Sequence, residues 1–344
     1  MKAFVIKGPH SAAYEEAPDP QIAPDDVLLR VRAVAACGTD LEIYQGTMFY
    51  FTSGIAHYPI IPGHEWSGEV LEAGKNVRHI RPGDRVVGEC TVACGQCEYC
   101  RMGWYNQCPD RRETGILKLN GGFAEKMCYP ASWLHRFETL TFEEAALCET
   151  TAIAVCAVKL IETCPADYVA ILGPGPVGLQ AMQAARAYGA RKVIMIGGRP
   201  SRRELALRLG ADAAIDPGEG SLEAQVLSAT DGHKFDVVIE ATGDPAAIKG
   251  LMQIVRPRGR IALVGLFNSQ KGELDLDPLV VNNITLKGSL GSPNVWEETV
   301  DLLEKGKIRA EPLISERKPL SQAAVVLQMM ADKRPELIKA VLLP

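Results

Sequence analysis

A glycine-rich turn between a short apolar run and a stretch of helical periodicity constrains the fold more than any other feature of this chain. Residues 173–178 read GPGPVG, which has the spacing G-x-G-x-x-G. After a predicted strand and before a predicted helix, this spacing indicates a dinucleotide site. Gly173 would make the tight turn, Gly175 would admit a pyrophosphate, and Gly178 would let helix and strand pack closely. Free N–H groups at the helix N-terminus would hold the phosphates. The predicted contacts in this turn are Gly173, Gly175, Pro176, Val177 and Gly178.

The segments around this turn alternate between strand-like and helix-like patterns. Apolar runs predict strands over 168–172, 192–196, 235–240 and 260–265, with helices over 177–188, 202–209 and 244–254 between them. Such alternation is typical of a parallel, doubly wound sheet. The first 150 residues instead have strand and turn patterns, with little helical periodicity before a helix predicted over 141–157. A chain of 344 residues has room for roughly two domains. We therefore expect an α/β protein with a β-rich domain and a doubly wound Rossmann domain.

The end of the second strand of this domain indicates which dinucleotide binds. An NAD site usually has an acidic residue there, but no carboxylate lies between Arg191 and Glu204. Arg199, which follows Gly198, can pair with a 2′-phosphate through a charge-assisted hydrogen bond. Arg202 and Arg203 are further candidates, although all these arginines could also form a solvated helix face. The sequence thus predicts NADP(H), with NAD(H) as the alternative. Leu266, just after the predicted strand 260–265, is also included in the predicted cofactor site.

A cluster of cysteines gives the sharpest local metal signal. Of ten cysteines, five fall between positions 90 and 108. The spacing C-x2-C-x2-C-x7-C suits a closed, tetrahedral zinc site with a structural role. An iron–sulfur cluster also uses four cysteines, and four unligated thiols are the remaining alternative. Cys90 lies just outside the spacing. The predicted ligands are Cys94, Cys97, Cys100 and Cys108.

A second set of zinc-competent residues is dispersed along the chain. Cys37 follows a predicted strand, His64 and Glu65 follow a proline turn, and Glu149 lies in the helix predicted over 141–157. Cysteine, histidine and glutamate all bind zinc, and a catalytic site keeps one position open. The sequence alone does not show that these residues converge. Taken singly, each is more often a buried or surface residue without a ligand.

Several motifs together resemble one family over essentially the whole chain. They are residues 37–40 (CGTD), 63–65 (GHE), 83–86 (GDRV), the cysteine lobe 94–108, 121–125 (GGFAE) and the fingerprint 173–178. The chain is similar to the zinc-dependent medium-chain dehydrogenases, near the threonine and sorbitol (polyol) dehydrogenases. This resemblance implies a GroES-like catalytic domain over 1–150 and 288–344 and a Rossmann domain over 151–287.

The resemblance also implies roles for residues around the dispersed set. Cys37 and His64 match catalytic zinc ligands, and Glu65 matches a residue that is a ligand in some members and a neighbour of the ligands in others. Glu149 matches a further ligand, although the adjacent Cys148 complicates that assignment. Thr39 matches the hydroxyl that contacts the substrate oxygen and starts a proton relay.

Three further positions bear on the relay and the cofactor. Glu42 stands where the family often has the histidine of the relay, so it either carries the proton or is an ordinary helix glutamate. Lys339 resembles the basic residue that reaches the pyrophosphate. Residues 197–200 (GGRP) are similar to a motif of NADP-dependent secondary alcohol dehydrogenases.

Composition excludes other classes of function. The net charge of −5 and the absence of a basic stripe disfavour nucleic-acid binding, including a nucleic-acid-binding zinc ribbon. Two long uncharged runs, 43–64 and 168–185, are broken by glycine and proline, so we expect no membrane span and a cytoplasmic protein. The first run holds five aromatic residues between positions 44 and 58, which either border the substrate or pack in a core or subunit contact.

The predicted function is that of a zinc-dependent alcohol dehydrogenase and ketone reductase. It would transfer hydride between NADP(H) and a small-molecule secondary alcohol or ketone. By resemblance, the substrate would be a polyol, sugar, cyclitol or 3-hydroxy amino acid, and the assembly a homodimer or homotetramer. The alternative is a non-catalytic relative that binds zinc and dinucleotide as a structural or binding protein.

Overall fold

The computed structural model describes residues 1–267, 273, 274 and 276–344, and these residues form two compact units. Unit 1 comprises Met1–Glu149, Gly291–Glu304 and Ala310–Pro344, and unit 2 comprises Thr150–Leu290 and Lys305–Arg309. The predicted ranges had assigned all of 288–344 to the first domain. The segment Lys305–Arg309 joins unit 2, where Gln183 and Arg309 exchange two hydrogen bonds of 2.9 and 3.1 Å.

The described elements are numbered in chain order. The strands are β1 (Lys2–Gly8), β2 (Ser11–Glu16), β3 (Asp26–Ala35), β4 (Glu65–Ala73), β5 (Arg85–Gly88), β6 (Thr91–Val92), β7 (Arg112–Thr114), β8 (Lys118–Leu119), β9 (Lys126–Pro130), β10 (Leu134–Arg136), β11 (Tyr168–Leu172), β12 (Lys192–Ile196), β13 (Ala213–Ile215), β14 (Phe235–Glu240), β15 (Val255–Leu263), β16 (Thr285–Gly288), β17 (Ile314–Pro319) and β18 (Lys339–Leu343). The α-helices are α1 (Gly38–Gln45), α2 (Phe49–Thr52), α3 (Glu98–Arg101), α4 (Phe142–Ala146), α5 (Cys148–Leu160), α6 (Pro176–Ala187), α7 (Pro200–Arg208), α8 (Leu222–Ala229), α9 (Pro245–Ile254), α10 (Asp277–Val281), α11 (Trp296–Glu304) and α12 (Ala323–Ala331). Short 3-10 helices cover Tyr105–Gln107, Ala131–Trp133, Glu311–Leu313 and Leu320–Gln322.

Unit 1 is the predicted β-rich domain. Its main sheet has the order β10-β5-β4-β3-β18-β17, and β9 pairs with β3 outside this path. The pairs are antiparallel except for β17 and β18, which run parallel. Strands β6, β7 and β8 form a separate small sheet, and β1 pairs with β2. The largest fully buried side chains of this unit include Trp66, Tyr129 and Phe4, which fill one hydrophobic core.

The register of three strands in this sheet positions later site residues. Ala35, at the end of β3, pairs with Glu65 of β4 on one side and with Val341 of β18 on the other. The N–H of Ala36 then donates to the carbonyl of Ala340 at 2.9 Å. The start of β4 and the start of β18 therefore flank the same end of β3.

Unit 2 contains the predicted doubly wound sheet. Its parallel strands have the order β13-β12-β11-β14-β15-β16, which is the order of the Rossmann fold. Strands β11, β12 and β14 have the predicted bounds. Strand β15 begins five residues earlier than predicted, at Val255, because residues 255–260 (VRPRGR) extend the ladder without an apolar pattern.

One helix prediction was wrong, and the bounds of another helix were not predicted. The single helix predicted over 141–157 is two helices, since the backbone leaves helical geometry at Leu147 (ψ 3°) between α4 and α5. Thr141 and Glu144 form a capping box at the start of α4. Helix α1 was missed because only Asp40 and Ile43 are buried in it, which leaves no apolar period of 3.6 residues. Within the described ranges, no helix combines the length and apolarity that crossing a membrane requires.

Candidate metal centres and cofactor site

Three of the four dispersed residues converge in unit 1. Cys37 precedes α1, His64 lies in the loop before β4, and Glu65 begins β4. The Cys37 Sγ, a His64 ring nitrogen and a Glu65 carboxylate oxygen all lie within 4.8 Å of one another. His64 and Glu65 are buried, whereas Cys37 is half-buried. The fold thus brings a thiol, an imidazole and a carboxylate to one point.

The buried Asp40 ties the two ligand segments together. Its Oδ2 accepts a hydrogen bond from the N–H of Cys37 at 2.9 Å, and its Oδ1 accepts one from the N–H of Gly63 at 3.0 Å. The same Oδ1 lies 3.8 Å from Nδ1 of His64. Sequence reasoning gave Asp40 no role. The available signal was its place three residues after Cys37, where an acidic side chain can cap the helix.

Glu149 is buried beside this trio without being part of it. Burial raises the pKa of Glu149 to about 7, with His64 lowering it and Glu65 raising it. The carboxylate is therefore within electrostatic range of both residues. Cys148 is fully buried and also lies outside the trio, and burial raises the pKa of its thiol.

Lys339 lies against Glu65. Its Nζ is 2.5 Å from Glu65 Oε1, and the two side chains are 4% and 1% exposed. This ion pair follows from the strand register, because β4 and β18 flank the end of β3. The pair gives Lys339 a protein partner, and its contact with a pyrophosphate stays a prediction.

Thr39 and Glu42 lie on α1, close in sequence to Cys37. Thr39 is half-buried in the first turn, and Glu42 is half-buried one turn later. Neither belongs to the trio of possible metal ligands. Their roles in substrate contact and proton transfer remain predictions.

The trio fits a zinc ion. Among the described residues, His64 Nδ1 and Glu65 Oε2 are buried polar atoms that have no hydrogen-bond partner. Leaving the Glu65 oxygen unpaired is costly, and a cation bound beside it would offset the cost. Thiolate, imidazole and carboxylate are all ordinary zinc ligands.

The four cysteines of the lobe also converge. All four Sγ atoms lie within 4.8 Å of one another, with 3.4 Å between Cys97 and Cys100 and 3.9 Å between Cys94 and Cys100. Zinc–sulfur bonds of about 2.3 Å in a tetrahedron imply sulfur–sulfur separations of about 3.8 Å. Hydrogen bonds from the N–H groups of Gln96 and Cys97 lower the pKa of Cys94 to about 7, which favours the thiolate. Cys90 is not a member of this cluster.

The glycine fingerprint has the geometry that dinucleotide binding needs. Gly173 has φ +97°, and a Cβ on Gly178 would lie only 1.9 Å from the Gly173 carbonyl oxygen. These two glycines are therefore required by the chain's own packing. A Cβ on Gly175 would meet nothing within 4 Å, so the chain itself leaves this space open for a ligand. Pro176 and Val177 begin α6, whose N-terminus faces this turn.

The end of β12 carries the residues predicted to select the dinucleotide. Gly198 and Arg199 are exposed, and Arg199 is the residue that precedes α7. Arg203 instead donates to the carbonyl of Gly197 at 2.7 Å and to Asp216 at 2.6 Å. Sequence reasoning missed Asp216, which follows β13 and becomes a neighbour of Gly198 only through the sheet order.

Two other predicted cofactor residues of unit 2 differ in exposure. Arg202 is half-buried, and burial lowers the pKa of its guanidinium to about 10. Leu266 is 65% exposed, and its backbone packs against Gly243 just beyond β14.

Comparison with known proteins defines the class of this protein. The model of the alcohol dehydrogenase GroES-like domain matches residues 23–139, and that of the zinc-binding dehydrogenases matches residues 176–305. The chain belongs to the zinc-dependent medium-chain dehydrogenases and is an oxidoreductase of the alcohol dehydrogenase type.

Individual relatives are polyol and hydroxy amino acid dehydrogenases. The sorbitol dehydrogenase of Bacillus subtilis (strain 168) is 32% identical over 350 residues, covering 100% of this chain and 97% of the relative. The L-threonine 3-dehydrogenase of Pyrococcus abyssi is 36% identical, covering 90% and 89%. A zinc-binding dehydrogenase of Sinorhizobium meliloti 1021, solved with NADP, matches with a TM-score of 0.91 and 31% identity, covering 100% and 99%. The chain is thus similar to the polyol dehydrogenases.

Alanine at two fingerprint glycines should separate packing from cofactor binding. Gly178→Ala forces a Cβ onto a backbone oxygen, and such overpacking costs about 1–3 kcal/mol, which the better helix propensity of alanine offsets by at most about 1 kcal/mol. We expect a lower melting temperature for the cofactor-free protein. Gly175→Ala should leave the melting temperature unchanged and weaken dinucleotide binding in calorimetry. Equal Kd values for wild type and Gly175→Ala would contradict this assignment.

Serine substitutions of Cys100 and of Cys90 should distinguish a member of the four-cysteine cluster from a nearby thiol outside it. Cys100→Ser removes one of the four converging thiols, so we expect the loss of about one zinc per chain by elemental analysis. Cys90→Ser changes a thiol ten positions away that is outside the cluster, and metal content should not change. An unchanged zinc content in Cys100→Ser, or iron in place of zinc in the wild type, would contradict the assignment.

Proposed function

We propose that this chain is a zinc-dependent alcohol dehydrogenase and ketone reductase that transfers hydride between NADP(H) and a secondary alcohol or ketone. The observation that carries the proposal is the convergence of Cys37, His64 and Glu65 with two unpaired buried atoms. The substrate class is a polyol, sugar, cyclitol or 3-hydroxy amino acid. The similarity to a sorbitol dehydrogenase and to an L-threonine 3-dehydrogenase supports this class.

Two zinc sites belong to the proposal. Cys37 and His64, with Glu65 and Glu149 as further carboxylate ligands, would hold a catalytic zinc. The four thiolates of the cysteine lobe would hold a structural zinc. Bound zinc supplies a Lewis acid for the substrate oxygen, and the bound nicotinamide ring supplies or accepts the hydride.

The chain's own side chains handle charge and protons around this chemistry. Thr39 would hold the substrate hydroxyl through its own hydroxyl group, from the first turn of α1. Glu42 would pass the proton outward, one turn along the same helix. Lys339 pairs with the buried Glu65 and so compensates the charge of this carboxylate.

The preference for NADP(H) over NAD(H) rests on charges near Gly198. Arg199 is exposed where α7 begins, and the nearby carboxylate of Asp216 is paired with Arg203. An exposed guanidinium beside a carboxylate that is already paired favours a 2′-phosphate. The similarity to a dehydrogenase solved with NADP supports the same choice.

The domain assignment, location and assembly are part of the proposal. The GroES-like domain over 1–150 and 288–344 would carry both zinc ions, and the Rossmann domain over 151–287 would carry the dinucleotide. All ten cysteines are free, which fits a reducing compartment and a cytoplasmic location. A homodimer or homotetramer would match the resemblance to the family.

A turnover assay tests the proposed function. Zinc-loaded protein is offered NADP or NAD with secondary alcohols, polyols, sugars, cyclitols and 3-hydroxy amino acids, and with ketones in the reverse direction. We expect reduction of NADP with members of the panel. Cys37→Ser should abolish turnover while dinucleotide binding persists, because the thiol lies in the metal trio of unit 1. Cys128→Ser, a half-buried thiol on β9, is the matched control. Turnover by metal-free Cys37→Ser would refute the mechanism.

Substitution of Arg199 tests the choice of dinucleotide. Losing one charge-assisted hydrogen bond lowers affinity by about 1.5–3 kcal/mol, so Arg199→Ala should reduce kcat/KM for NADP by about tenfold to a hundredfold. The value for NAD should not change. Arg208→Ala, at the other end of α7, should leave both values intact. A wild type that prefers NAD, or an equal loss with both dinucleotides, would refute the role of Arg199.

A further inference from the structure

A polar cluster of Tyr50, Arg111 and Glu113 lies in unit 1 and is not used in the proposed mechanism. Glu113 Oε1 accepts hydrogen bonds from Arg111 Nε at 2.7 Å and from the Tyr50 hydroxyl at 3.3 Å. Arg111 Nη2 donates to the Tyr50 oxygen at 2.9 Å. The three side chains therefore form a closed ring of hydrogen bonds, which we call the polar triad.

The backbone holds the polar triad against the loop that carries His64. Glu113 lies on β7, and Gly115 follows with φ +67°. A Cβ on Gly115 would come within 2.7 Å of the Gly63 nitrogen, so the two segments are in contact one residue before His64. The N–H and hydroxyl of Thr114 both donate to the carbonyl of Cys90, at 2.9 and 3.2 Å.

Electrostatics supports the same neighbourhood. Burial raises the pKa of the Cys90 thiol well above its ordinary value, and Glu149, Glu113 and Cys37 each raise it further. Cys90 is thus within electrostatic range of Glu113 and of the proposed zinc ligands. The polar triad and the metal trio therefore border a common region of unit 1.

The polar triad has one carboxylate oxygen that is free to accept a hydrogen bond, and its two opposite charges compensate each other. Glu113 Oε2 makes no hydrogen bond within the described chain, and the Glu113 side chain is 12% exposed. The carboxylate and the guanidinium of Arg111 neutralise each other at 2.7 Å. Each guanidinium nitrogen already donates to Glu113, Tyr50 or the Cys108 carbonyl.

We propose that the polar triad of Tyr50, Arg111 and Glu113 recognises hydroxyl groups of an uncharged polyol substrate, away from the reacting carbon. The inference rests on the proposed function and narrows its substrate class. A hydroxyl can donate to Glu113 Oε2, whereas a phosphate would meet this carboxylate beside an Arg111 charge that Glu113 already neutralises. The zwitterion of a 3-hydroxy amino acid would find no uncompensated charge to pair with either of its groups.

The test compares four substrates in wild type and in Glu113→Gln. The substrates are an unphosphorylated polyol (xylitol), a polyol phosphate, L-threonine and 2-butanol, which lacks distal hydroxyls. We expect wild type to prefer xylitol. Glu113→Gln should reduce kcat/KM for xylitol about tenfold or more, mainly through KM, with 2-butanol unaffected. Tyr50→Phe should act in the same direction, and Glu72→Gln, an exposed carboxylate on β4, should have no effect.

The outcomes separate this inference from the proposed function. A wild type that prefers the polyol phosphate or L-threonine overturns the inference and leaves the proposed function standing. Equal losses with xylitol and 2-butanol in Glu113→Gln mean a structural role and also overturn it. If no alcohol is turned over by wild type, the proposed function fails and the inference fails with it.

Discussion

The buried carboxylate of Asp40 is the interaction on which the zinc-site region of unit 1 depends. It accepts the N–H of Cys37 and the N–H of Gly63, and so links the two segments that carry the metal trio. A buried carboxylate is stable only when hydrogen bonds and opposite charge compensate its lost hydration. These two backbone donors and the nearby His64 offset part of this cost, and burial still raises the pKa of Asp40. The hydrogen bonds of this one acid thus act together with the register of β3 and β4 in placing the metal trio.

The buried carboxylates beside the metal trio form a second set of charges that must be compensated. Glu65 and Glu149 are both buried, and Lys339 pairs directly with Glu65. Burial raises the pKa of Glu149 to about 7, so this carboxylate is costly to ionise in the protein alone. A cation between Cys37, His64 and the carboxylates would lower that cost. Lys339 thus already compensates one charge of the proposed ligand set, that of Glu65. The remaining negative charges of the set favour metal binding.

Local patterns were enough to predict the parts of the fold that local geometry determines. The fingerprint and the strands β11, β12 and β14 follow from apolar runs and glycine spacing, and the four-cysteine cluster follows from short spacing alone. Contacts set by strand order could not be predicted in this way. Glu65 meets Lys339 across 274 positions only because β3 lies between their strands, and Asp216 meets Arg203 only because β13 follows β12 in the sheet. Helix α1 was missed because its apolar residues show no period.

A hydrogen bond connects the cysteine lobe to the polar triad. The carbonyl of Cys108, the last cysteine of the lobe, accepts a hydrogen bond from Arg111 Nη1 at 3.3 Å. Arg111 in turn fixes both Glu113 and Tyr50, so the backbone position of Cys108 sets the geometry of all three side chains. A metal held by four thiolates has no open position for a substrate. Its contribution to substrate choice would therefore be indirect, through the order that it imposes on Cys108, three residues before Arg111, and on β7, which follows.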